Sequence, residues 1–187
     1  MGISFPGAAI LAPMAAAHDQ VRRESAVYLR DTYLPRLERA LEVLPEGDLW
    51  WRPHEGVLSF GTVLLHLEGN VRQWILSGLG GAPDHRERAA EFAATGEGAP
   101  PAAELVSRLG ATVRAAAEVI EALSDETLDA SITIQGFETT GLAAVYHVVE
   151  HFSWHTGQAA WIAKARAGAS HGLAYYDESA INNARNG

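Results

Sequence analysis

Residues Val145 to Ile162 read VYHVVEHFSWHTGQAAWI and place His147, His151 and His155 at intervals of four. Neutral imidazole is the commonest metal ligand among side chains. Residues four apart on an α-helix are neighbours on one face, so His147/His151 or His151/His155 can address one ion. His147 and His155 cannot share one, because eight residues of helix rise about 12 Å. At about 100° per residue, Ala144, Val148, Ala159 and Ile162 lie close to the His151/His155 direction. That pair therefore sits in the stripe expected to face the interior. Buried imidazoles satisfied one by one by hydrogen bonds are the plainer reading, but two in a single apolar stripe are hard to satisfy that way. A metal reading needs a third ligand from elsewhere in the chain.

The rest of the chain must supply that ligand and hold it in place. At 187 residues it is long enough for one domain with a real core. Hydrophobic residues make up 48% and charged residues 20%, as in ordinary water-soluble globular proteins. Cysteine is absent, so disulfides, thiolate ligands and a cysteine nucleophile are excluded and any metal falls to His, Asp or Glu. The formal charge of −9 argues against nucleic acid or an anionic membrane as partner, and leaves a small-molecule substrate as the expectation. Residues 1–17 are apolar but broken by Pro6 and Pro13, and lack a basic region before the apolar run. They read as a loose extension of a body at 18–168 with a polar tail at 169–187, in a cytoplasmic protein. Met14 is an alternative start.

Four long helical patterns appear. Asp19 to Leu44 carries Leu34, Leu37, Leu41 and Leu44 on one stripe, with Pro35 either kinking the helix or opening a second piece. Ser59 reads as the N-cap of a helix to Ser77 that Gly78, Gly80 and Gly81 stop. Its core face is Val63, Leu64, Leu67, Val71 and Trp74. His66 lies off that face beside Thr62, Asn70 and Gln73, and alone it reads as a half-exposed surface histidine. If that polar stripe turns toward a cleft, Thr62, Asn70 and Gln73 become candidate pocket lining. Residues 82–99 read as a mobile connector with His85 solvated. Pro100-Pro101 open a third helix through Leu123, SITIQGFETT (131–140) reads as a loop, and the histidine helix runs from Gly141 to about Ala167. An all-α four-helix bundle follows.

WRPHEGVLSFGTVLLHLEG (51–69) followed by HVVEHFSWHTGQ (147–158) resembles the DinB/YfiT-like family of bacterial metalloproteins over roughly residues 20–168. The resemblance implies an up-down-down-up bundle, a homodimer, and a divalent metal on one histidine of the second helix and a His-x-x-x-His pair of the fourth. Here those are His66, His151 and His155, with His147 outside the ligand set. It also implies a thiol-dependent S-transferase or isomerase with a low-molecular-weight thiol as cosubstrate. The alternatives are a non-catalytic metal-binding or stress-associated bundle and a metal-hydroxide hydrolase. Relatives commonly end the motif His-His-Arg-Gly-Gln, whereas this chain has Trp154-His155-Thr156-Gly157-Gln158.

Three neutral imidazoles without thiolate suit Zn²⁺ or Ni²⁺ first, then Fe²⁺ or Co²⁺, and leave a coordination position for water or substrate. Glu68 and Glu150 point away from the histidines on their own helices, which leaves Glu24, Asp31 or Glu38 of the first helix as candidate carboxylates. Phe152 stands where a zinc peptidase motif needs glutamate, and no side chain declares itself a catalytic acid or base.

Overall fold

The computed structural model describes residues 8–176, with side chains from residue 16 onward. Helix α1 (Ala8–Val27) starts well before Asp19 and takes up residues 8–17, expected as a loose extension, because an Ala-rich run favours helix; residues 1–7 lie outside the described part. A π-helical stretch, Tyr28–Tyr33, leads into α2 (Leu34–Val43). The Leu34 N–H reaches back to the Leu29 carbonyl, and Pro35, which has no N–H to place, enters in the first turn of α2. The backbone stays right-handed helical at Val27, Tyr33 and Leu34, so the run is continuous and passes through a π stretch just before Pro35.

Helix α3 (Phe60–Val71) begins at the expected cap: Ser59 Oγ accepts from the Thr62 N–H at 3.1 Å. A second π stretch, Arg72–Ser77, carries it to the glycines. The connector that follows contains a short helix, α4 (Arg88–Ala93), before α5 (Ala102–Ala122) and the short α6 (Asp125–Asp129). Helix α7 (Gly141–Ala167) is capped by Thr140, whose side chain accepts from the Ala143 N–H, and ends at Gly168 with φ 76°.

One expectation is overturned here. Residues 131–140 form an antiparallel hairpin, β1 (Ser131–Ile134) with β2 (Phe137–Thr140), paired from Ser131↔Thr140 to Ile134↔Phe137. Its two-residue turn puts Gln135 at φ 54° and Gly136 at φ 79°, the signature of a type I′ turn. A lone hairpin is marginal in water; this one is held by tertiary contacts. Ile134 is buried against Gly78, where any Cβ would strike it, and Trp74 Nε1 donates to Gln135 Oε1 at 3.3 Å.

The fold is otherwise helical. Helix α3 packs on both α5 and α7, while α1 lies on α5 and α2 on α7. Leu37, Leu64, Leu67, Leu109 and Phe152 are fully buried between them. The start of the tail closes one side: Leu173 is buried, and Tyr175 Oη donates to the Arg36 carbonyl at 3.1 Å. Among the described residues no helix is long and apolar enough to cross a membrane.

Phe152 tests the packing that presents the histidines, since its ring is fully buried and stacks on Tyr33 at 6.3 Å between centroids. Phe152→Ala is expected to cost about 3–5 kcal/mol of unfolding free energy in denaturant titration. A loss below about 1 kcal/mol would mean that α7 is not seated as described.

Candidate metal centre

Where α3 crosses α7, His66 meets His151 and His155. One ligand atom from each lies within 4.8 Å of the others, a set that could hold a metal ion. The His66 and His151 Nε2 atoms are 3.2 Å apart, and the ring centroids of His151 and His155 are 4.5 Å apart. His66 is 5% exposed, not the half-exposed surface residue expected from its polar stripe. Residues from the connector fold down over that stripe and cover it.

The connector is also where the missing carboxylate comes from. Glu91 of α4 sits against His66, with Oε2 at 2.8 Å from Nδ1. Arg86 grips the same carboxylate with a fork, Nε to Oε1 at 2.7 Å and Nη2 to Oε2 at 2.9 Å. Burial alone would raise the Glu91 carboxyl, but the Arg86 and His66 hydrogen bonds hold it below its usual value. An ionised carboxylate only accepts, so His66 Nδ1 carries the proton and donates it to Glu91, and Nε2 presents a lone pair to the centre. The network runs outward: Arg86 Nη1 donates to Gln73 Oε1 at 3.0 Å, and Gln73 Nε2 donates to Asp84 at 2.7 Å. Gly69 leaves room for it, since a Cβ there would collide with the Glu91 carboxylate. Phe92 closes over His66 with ring centroids 4.9 Å apart.

His155 is braced from within its own helix, Nδ1 donating to Gln158 Oε1 at 2.7 Å. His151 Nδ1 is buried and has no partner among the described residues. Two imidazoles whose Nδ1 protons point outward offer lone pairs into one small space, and these repel unless a proton or cation lies between them. Burial and then its imidazole neighbours push His151 down to about 3, and burial and then His66 push His155 down to about 4. His151 and His155 are therefore neutral at pH 7, in the form that binds metal. Converging, and braced on two of three outer nitrogens, the three-histidine set fits a divalent transition ion.

His147 lies one turn away and faces other groups. Its ring packs on Trp74 at 4.2 Å between centroids, and Asn70 Nδ2 donates to its Nε2 at 3.4 Å. The other polar-stripe residues are engaged too: Thr62 is buried, sharing a hydrogen bond with Ser59 and accepting from Arg52 Nη2 at 2.8 Å. The first-helix carboxylates stay outside the group, Asp31 pairing with Arg30 on the surface. The connector expected to be mobile carries the groups the sequence reading missed, Arg86, Glu91 and Phe92. Only the apolar Phe92 among charges hints at them. Gln158 stood inside the quoted motif with no role assigned to it. His85 is exposed, as expected.

The family model described as the DinB superfamily matches residues 28–159, a span that holds all three histidines. No curated protein and no solved structure matches the chain.

Two outcomes follow from this geometry. Glu91→Gln keeps the size of the group but removes the charge that orients His66, and should weaken metal affinity about 10–100-fold in chelator competition with helical content unchanged. Equal affinity would show that Glu91 does not brace a ligand. In the metal-free protein, His151 and His155 take up protons near pH 6.5 when unfolded but resist them when folded. Stability is then fully present above about pH 6.5 and falls as pH drops toward the depressed folded values. Denaturation midpoints should decline over that range, and His151→Ala/His155→Ala should flatten the decline; a flat wild-type profile would contradict the burial of these rings.

Proposed function

This chain belongs to the DinB superfamily, and from its three-histidine cluster we propose that it is a metal-dependent enzyme of thiol S-transfer or isomerisation. One observation carries the reading: the three imidazoles converge on one small space, with two outer nitrogens already committed to Glu91 and Gln158. A divalent metal held by His66, His151 and His155 would lower the pKa of a thiol or water that it binds. Three protein ligands leave a position for that cosubstrate, read as a low-molecular-weight thiol.

What the chain's own residues do follows from their contacts. Helix α7 fixes His151 and His155 relative to each other, and the Arg86–Glu91 pair sets the tautomer of His66. Thr156, at the position where relatives commonly carry arginine, is buried and donates Oγ1–H to the Phe152 carbonyl at 2.8 Å. It offers no charge to an anionic substrate, so an acceptor held through that position would be neutral or held elsewhere. The reading extends to topology: the mutual packing of the four long helical elements supports the up-down-down-up bundle.

A second reading has its own support. The connector seats Phe92 and Glu91 directly on His66, which suits an ion that ties α3 to α7 without turnover. The experiment separates the two. Protein as purified should carry about one transition metal per chain, lost in His151→Ala/His155→Ala and kept in His147→Ala. Holo and metal-free protein are then given glutathione, bacillithiol, mycothiol or cysteine with an electrophilic acceptor. Turnover by the holo form alone supports the enzyme. Absence of turnover with every thiol, with a large fall in melting temperature on chelation, assigns the structural role.

A further inference from the structure

On the other side of the Arg86–Glu91 pair lies a cleft of about 690 Å³ between α3, α5 and the connector. None of the three imidazoles lines it. Its size is that of a small-molecule site, and its charges are unevenly satisfied. On its floor, the buried Glu68 carboxylate accepts from Arg108 Nη2 at 3.0 Å, and Arg86 is committed to Glu91. Arg72, one turn beyond Glu68 at the start of the π stretch that continues α3, is exposed and has no ion pair or hydrogen bond among the described residues. Thr112, one turn beyond Arg108 on α5, is 4% exposed and also lines the cleft. The Glu68–Arg108 contact joins these two helices, and Arg72 and Thr112, each one turn further along its own helix, line the same cleft.

We propose that this cleft binds a small organic acid carrying a single negative charge on an apolar body. A guanidinium offers two parallel N–H groups to a carboxylate, and a hydroxyl lining the same cleft supplies a further donor. Leu65, Leu76, Ala111 and Ala115 give the apolar wall for the body of the ligand. Glu87, exposed on the rim beside His85, disfavours a second negative group on the same molecule. The site is independent of the histidine cluster, although the two share a wall in Arg86 and Glu91.

Titration calorimetry of the full chain with benzoate tests this, with benzamide as the uncharged ligand of the same shape. Benzoate should bind saturably and benzamide at least tenfold more weakly. Arg72→Gln, a surface change that leaves the melting temperature in place, should weaken benzoate at least tenfold, Arg72→Lys should restore part of it, and Thr112→Val should weaken it several-fold. Binding should persist after metal is removed with a chelator, which separates this cleft from carboxylate ligation at the histidines. Equal binding of benzamide, indifference to Arg72→Gln, or loss of benzoate binding on chelation would each overturn the assignment.

Discussion

A carboxylate cannot be taken out of water next to apolar helices without partners, and the way Glu91 is partnered governs much of this structure. Its desolvation is offset by a two-pronged guanidinium from its own short stretch of chain and an imidazole N–H from α3. Meeting that demand fixes the connector over α3, requires a glycine at position 69, and aligns His66. Take away the carboxylate, and Arg86 becomes a buried cation, Gln73 and Asp84 lose their anchor, and the tautomer of His66 is no longer set.

The same interaction explains what could and could not be read from residues alone. Helices α3, α5 and α7 announced themselves by period and by end signals such as the Ser59 cap and the Pro100-Pro101 start. The pairing of His151 with His155 followed from spacing once a family likeness pointed to His66. Glu91 was illegible because it belongs to no periodic stripe. Its partners lie five residues back in the chain and 25 residues back on another helix. Composition saw a charged, Ala- and Gly-rich connector and read motion, whereas pairing made it a wall.

The hairpin was missed for a related reason. Four-residue strands have little intrinsic stability, and SITIQGFETT shows only a hint of alternation. Its anchors are Ile134 against Gly78 and Gln135 with Trp74, contacts more than 50 residues apart in sequence. His66 was misjudged likewise: a polar stripe reads as solvated until something is known to lie across it. Local pattern specified the elements, and the pairing of buried charges specified which of their faces remain exposed.

The histidine cluster is thereby held as by a vice with one rigid and one adjustable jaw. His151 and His155 take their separation from the backbone of a single helix, and the brace on His155 is three residues along that helix. His66 owes its ring angle to a connector with its own hydrogen bonds and its own short helix. Sequence change in the connector can therefore turn one imidazole by small steps while the other two stay put. Preference among ions that differ in bond angle would be tuned from residues 84–92, far in sequence from the ligand pair, and the bundle core would be left as it is.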